Sequence, residues 1–341
     1  MIRAALRDLQ WRRKRFVIAM AGVGLVFAMG LIMTGLDESF SLEVDRTLDA
    51  VGAHAWAVSD QASGPFSSFL PVIDTAGGQD AAPMLVLRQT INDDGHVLDL
   101  IVLGVVPGRL GSPTKVDGAP LAQSGQVVVD DGLAGTGIGD TLNIGGRSVQ
   151  VVGTVSGQRL LAGLPIAYMT LSDAQAIATQ GQPAATAFLF SQVPNDPPPG
   201  LKVMTNAQVK SDVLRPLKDA RSSISLVRYL LWTVAATIIG SALYLQAMER
   251  TRDFAVFKAT GTSTAAIGVG LALQAVVLSL AAAALAAVLA LVLAPMFPMR
   301  VEIPASGFLL LPFVTVIVGL LASLIALRKT ATVQPALAFG G

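Results

Sequence analysis

The chain has 341 residues, a formal net charge of +1 and 14% charged residues, with a mean hydropathy of +0.62. Soluble domains carry about 25% charged residues, so this composition excludes an ordinary soluble enzyme of the same size. Cysteine is absent, which excludes a disulfide-stapled fold.

Residues 1–15 are basic, with Arg3, Arg7, Arg12, Arg13, Lys14 and Arg15 opposed only by Asp8. Ile2, Leu6 and Leu9 share one helical face, and Trp11 lies near the interface. The segment reads as an amphipathic helix along the inner leaflet or as a topogenic charge cluster drawn to anionic lipid. Residues 16–36, FVIAMAGVGLVFAMGLIMTGL, carry no charge. At about 1.5 Å per residue they span ~30 Å, the thickness of a bilayer's hydrocarbon core. The run is too long for the apolar region of a secretory leader, and no small-x-small cleavage site follows, so a retained anchor is expected.

The segment 37–225 changes character. Leu42, Val44, Leu48 and Val51 among charged neighbours continue the first helix, which turns into a strand near AHAWAVS. The runs MLVLRQTI, HVLDLIVLGV, GQVVVDD, DTLNIGGRSVQVVGTV and AYMTL are short and β-branched or alternating, bounded by Gly- and Asp-rich turns, and so predict strands. Gly145-Gly146 closes a hairpin. SDAQAIATQG predicts a short helix capped by Ser172 or Asp173 and stopped by Gly181. QVPNDPPPG is a break. The stretch 205–225 predicts a helix that Pro216 kinks or interrupts. At ~190 residues the segment is long enough to bury a core of its own.

Three further apolar runs follow: 226–247 with Arg228 at its edge, 265–297, and 308–327. An arginine at a span's edge reaches the interface by extending its stem. The fold class is therefore a membrane protein with four transmembrane α-helices and a mixed α/β extracytoplasmic domain between helices 1 and 2. Lys and Arg crowd residues 1–15, the 248–264 loop and the tail 328–341, whereas the loop 298–307 holds only Arg300. The positive-inside rule then puts both termini and residues 248–264 in the cytoplasm and 37–225 outside, in a plasma or inner membrane. Gln246 and Gln274 are nearly the only strongly polar side chains within the spans, which disfavours a hydrophilic pathway through the bilayer. His54 and His96 have no metal-ligand neighbours. Asp93-Asp94-Gly95 reads as a turn. No catalytic, cofactor-binding or metal site is expected, and nucleic-acid binding is not expected from a basic cluster so close to the membrane.

The loop ERTRDFAVFKATGTSTAAI, residues 249–267, is unusually charged for its place between two spans. Met248, Phe254, Phe257 and Gly261 recur at three- and four-residue steps, and Arg250, Arg252, Asp253 and Lys258 fall around them. That is a short surface helix with an apolar ridge, Gly261 suiting a left-handed cap and Thr262 or Ser263 starting the next span. A solvated, positively charged loop fits the same residues, and the pattern alone does not choose.

The string resembles the E-R-x-R-E-x-A-x-L-K-A-x-G-A stretch of MacB/FtsX-like (type VII) ABC transporter permeases, including DevC-like exporters. The matching residues are Glu249, Arg250, Arg252, Asp253, Ala255, Lys258, Ala259 and Gly261, with Asp253 in place of Glu and Phe257 in place of Leu. GDTLNIGGRSVQVVGTVSG is similar to the strand pairs of that family, and the one-domain-three span layout covers the whole chain. The resemblance implies a permease dimer bound to two copies of a separate cytoplasmic ATPase that holds ATP and Mg, since the chain lacks a phosphate-cradling G-x4-G-K motif. It implies that Glu249, Arg250, Arg252, Asp253, Phe254, Phe257, Lys258 and Gly261 form a coupling helix on that ATPase, the two Phe as anchors. Gly24 and Ala28, four residues apart, permit close helix packing or dimerisation. Under this reading the chain is not itself an enzyme. It transmits hydrolysis to its outer domain and exports a hydrophobic compound, peptide or lipid. The alternatives are a non-transporting regulator of an extracytoplasmic enzyme and a sensor paired with a signalling kinase; each brings an extracytoplasmic or membrane partner.

Overall fold

The computed structural model describes residues 13–331 except 69, 74–80, 94–95, 134, 195–198, 250–254, 257–258 and 298–300. Two compact units result: Phe40–Asp219, and the described residues of Met1–Ser39 with Ala220–Gly341.

Helix α1, Arg13–Val51, has 39 residues. At 1.5 Å per residue it is about 58 Å long, nearly twice what a hydrocarbon core requires. It therefore supplies a membrane span to one unit and a docking helix to the other. After it come β1 (Ala55–Ser59), β2 (Val72–Ile73), β3 (Ala82–Asp93), β4 (His96–Val105), β5 (Asp117–Gly118) and β6 (Gln126–Asp130). Then follow β7 (Thr141–Ile144), β8 (Arg147–Val155), β9 (Arg159–Leu160), β10 (Leu164–Thr170), α2 (Leu171–Ala178), β11 (Ala184–Ala185), β12 (Ala187–Phe190) and β13 (Leu201–Thr205). The chain returns through α3 (Asn206–Leu214) to α4 (Lys218–Glu249), and ends with α5 (Thr264–Leu293) and α6 (Ala305–Ala331).

Eleven strands make one mixed sheet in the order β13-β1-β12-β3-β4-β10-β6-β8-β5, with β7 beside β8 and β9 beside β10. β2 and β11 pair separately. β4–β10 and β6–β8 run parallel, with Ile101 opposite Ile166 and Val105 opposite Thr170. The central strands are buried on both faces, which is why they read as near-continuous apolar runs. On one face Met84, Val86, Ile101, Leu103 and Tyr168 pack with Val44, Leu48 and Val51 of α1. On the other, Leu85, Leu100, Val102 and Met169 pack with Ala174 of α2. Gly104 is where α2 comes closest, since a Cβ there would lie 2.3 Å from Ala174 Cβ.

One local expectation changes and another takes a definite form. The cap of α2 is Thr170, the last residue of β10, whose Oγ1 accepts the Asp173 N–H at 3.3 Å. Leu171 is already helical, so Asp173 falls in the first turn and its carboxylate is free to turn inward. At Pro216 the return helix does break, and the break is a 3₁₀ turn, Arg215–Leu217, which tolerates the missing N–H. Upstream, Thr205 and Gln208 form a reciprocal capping box on α3. The Gly145-Gly146 turn has φ of 57° and 82° and joins β7 to β8.

The other unit holds the apolar helices. Val23, Phe27, Ile32, Ile239, Leu243, Leu271, Leu278 and Ala286 are among its buried core. Four helices have the length and apolarity of a membrane span, with mean hydropathies of 2.5, 1.6, 2.9 and 2.4 in chain order.

Candidate functional site

The loop between α4 and α5 is the site marked by the sequence. Arg250, Arg252, Asp253, Phe254, Phe257 and Lys258 lie outside the described residues; Glu249, Ala255, Val256, Ala259 and Thr260 to Ser263 lie within them. Ala255 is fully buried and Val256 is half exposed. The Thr260 N–H and Oγ1 both donate to the Val256 carbonyl, at 2.9 and 3.1 Å. Gly261 follows with φ 90°, a left-handed conformation that a side chain would strain. Ser263, not Thr262, caps α5: its Oγ accepts the Ala266 N–H at 3.2 Å. The described part of the loop is thus a turn stopped by glycine, followed at once by a capped span. Glu249, at the end of α4, helps line a cleft of about 640 Å³ with Phe16, Gly22, Ile238, Leu243 and Leu278, an otherwise apolar wall.

Small residues hold the helices together. Gly24 and Ala28 are buried within one protomer, and a Cβ on Gly24 would lie 2.9 Å from Leu285 Cδ2 of α5. Gly24 thus packs on α5 of the same chain, the helix packing expected of this position. Between α5 and α6, a Cβ on Gly319 would meet Ser279 Oγ at 2.1 Å. Gly35 lies against Val301 and Ile303. Ser39 Oγ donates to the Gly35 carbonyl at 2.7 Å and accepts the Glu302 N–H at 2.8 Å. The Arg221–Asp37 ion pair, 2.6 Å, joins α4 to α1.

In the sheet unit, the outer part of α1 is seated by polar bonds as well as by its apolar face. Thr47 Oγ1 donates to the Arg159 carbonyl at 3.2 Å, and the Gly163 N–H donates to Glu43 Oε2 at 3.1 Å. Lys210 Nζ meets Asp45 at 2.6 Å. Under that seat lies buried Asp130, which accepts from Arg159 Nε and from the Gln158 N–H, both at 2.7 Å. Burial would lower the Arg159 pKa, but the hydrogen bond and charge of Asp130, with those of Asp131, hold it above its ordinary value. Tyr168 donates to Gln158 Oε1, and burial, then the Asp130 charge, push its phenol above the usual range.

A second buried carboxylate, Asp173, accepts from Ser124 Oγ at 2.6 Å, the Gly125 N–H at 2.9 Å and Thr170 Oγ1 at 2.8 Å, with Arg147 at 3.3 Å. Burial raises its pKa, but those hydrogen bonds, led by Ser124, prevail and leave it below the ordinary value. The partners of both carboxylates come from the strands of the sheet and their loops, which is a structural arrangement. Sequence reasoning missed them because Asp130-Asp131 end the strand run GQVVVDD and Ser172-Asp173 read as cap residues. His54 is exposed, and its N–H donates to the Phe190 carbonyl at 2.9 Å. Asp94 and Gly95 lie outside the described residues; the flanking Asp93 and His96 pair by backbone across the hairpin.

Residues 18–213 match the MacB-like periplasmic core domain, and residues 225–335 match the FtsX-like permease C-terminal region. An uncharacterized ABC transporter permease of Mycobacterium tuberculosis, Rv2563, is 42% identical over 349 residues covering 100% of both chains. A second from that organism, Rv0072, is 40% identical with the same coverage. A putative hemin transport system permease protein, HrtB, of Staphylococcus haemolyticus is 22% identical and covers 99% of each chain. Two domain matches that together span the chain, and relatives aligned end to end, leave one conclusion: this chain belongs to the MacB/FtsX-like, type VII, ABC transporter permeases.

Proposed function

We propose that the chain is the transmembrane subunit of an ATP-driven complex in which a separate ATPase hydrolyses nucleotide and the permease converts that event into motion of its extracytoplasmic domain. The observation that carries the proposal is α1, one helix of 39 residues whose apolar half belongs to the membrane unit and whose outer part is seated on the sheet by Glu43, Asp45 and Thr47. A continuous helix of that kind is suited to carrying displacement along its axis. Both termini and residues 248–264 face the cytoplasm of a plasma or inner membrane, a reading that the distribution of Lys and Arg supports. Two permeases pair with two ATPases, and the 249–261 stretch seats on the ATPase through Phe254 and Phe257.

The output is export of a hydrophobic compound, peptide or lipid. An apolar helix interior supports a cargo taken from the membrane rather than a polar solute crossing it. A relative named as a putative hemin transport system permease supports transport as the output. A regulator that activates an extracytoplasmic enzyme or kinase is the second reading, favoured by the same apolar interior, because transmitted motion needs no channel.

The test replaces Phe254 and Phe257 with Asp in the full chain and measures co-purification of the ATPase and permease-stimulated ATP hydrolysis. Loss of both, with the permease still inserted and thermally stable, is expected. Unchanged binding and turnover remove this helix from the mechanism.

A further inference from the structure

Arg228 is ten residues into α4, among side chains that face lipid: Leu226, Val227, Tyr229 and Leu230 are each about half exposed. It lies seven residues beyond Arg221, about 10 Å further along the helix. Arg221 is already engaged by Asp37. Among the described residues Arg228 forms no ion pair, and its buried Nε has no hydrogen-bond partner. An arginine at the edge of a hydrocarbon core without a counter-charge is costly, so its remaining donors require an acceptor.

The surroundings restrict what that acceptor is. The guanidinium carbon lies 5.8 Å from the ring centroids of both Tyr229 and Trp232, and those rings meet edge to face at 5.4 Å and 85°. Trp232 lies beside α1: a Cβ on Gly30 would stand 3.5 Å from its indole Nε1, an ordinary van der Waals distance. The two rings beside the guanidinium hold the cation by their quadrupoles. α4 begins ten residues before Arg228, where the chain leaves the sheet unit, so Arg228 stands near the end of the span, the level at which head-group phosphates are expected. A guanidinium fork matches two phosphate oxygens, and the apolar side chains beside it accommodate acyl chains.

We propose that Arg228, Tyr229 and Trp232 form a binding site for the phosphodiester head group of a phospholipid in the extracytoplasmic leaflet. The phosphate accepts from the terminal nitrogens of Arg228 and tethers α4 to the membrane surface at the level where Gly30 of α1 and Trp232 of α4 meet.

The test uses the full chain, delipidated in detergent, and native mass spectrometry with added phosphatidylglycerol, with diacylglycerol as the phosphate-free probe and millimolar inorganic phosphate as competitor. Wild type is expected to retain phosphatidylglycerol in preference to diacylglycerol and to keep it in the presence of inorganic phosphate. Arg228→Gln, which makes the span more apolar and leaves insertion intact, is expected to weaken that lipid about tenfold, as loss of a charge-assisted hydrogen bond predicts. Trp232→Leu is expected to weaken it about threefold by removing one of the two rings. Equal lipid retention by wild type and Arg228→Gln overturns the site. Displacement by inorganic phosphate overturns the lipid as its source. Dissociation of permease dimers in Arg228→Gln with lipid retention unchanged assigns the arginine to a second copy and also overturns the proposal.

Discussion

Asp173 shows how a single residue acquires a role through its neighbours. In sequence it is a helix-cap candidate; in the fold it is a buried carboxylate that joins the β10–α2 junction to Ser124 and Gly125 before β6. Its folded pKa is depressed, so it adds stability above the unfolded value of about 3.9, and that contribution is lost as pH falls through the folded value. Thermal unfolding of the full chain from pH 7 to pH 3 should therefore steepen at the acid end. Asp173→Asn should lose about 2 kcal/mol at pH 7 and flatten the acid limb, since the amide cannot accept from every donor that surrounds it. An acid limb of unchanged slope would show that Asp173 is not the group responsible. Asp130 was equally hidden in the sequence, because the Arg159 that pairs with it arrives from another strand.

Elements were more legible than residues. Strand runs around β3, β4, β6, β8 and β10, and the Gly145-Gly146 hairpin, follow from alternation and turn chemistry, both local properties. The order of those strands does not: β10 inserts parallel to β4 and antiparallel to β6, a pairing set by long-range packing. The α5–α6 pair makes the same point. Ser279 Oγ is buried without a hydrogen-bond partner, directly opposite Gly319. Gly319→Ala should destabilise the helical hairpin by about 2 kcal/mol, because the new methyl has to displace that hydroxyl. Ser279→Ala alone should be nearly neutral, and together the two changes should recover most of the loss. Additive effects in detergent thermal melts would refute direct packing between these positions.

At the scale of the whole molecule, α1 is the proposed transmitting element. Inserting Gly-Gly-Ser after Leu36 should preserve ATPase binding and hydrolysis while abolishing the extracytoplasmic output, because the inserted residues break the helix between its two halves. Output that survives the insertion would remove α1 from the transmission path. The same experiment in the loop after Gly261 should instead impair stimulation of the ATPase.

Four spans, a mixed α/β domain between the first two, and membership of this permease family follow from apolar run length, strand periodicity and a few charged positions. Those signals are local, and bilayer thickness reads them directly. The tertiary structure decided the sheet order, the Thr170 cap, the roles of Asp130 and Asp173, the engagement of Gly24 within one protomer and the aromatic seat of Arg228. Each of these depends on which distant residue arrives beside it, and that is settled by burial and hydrogen-bond satisfaction across the fold.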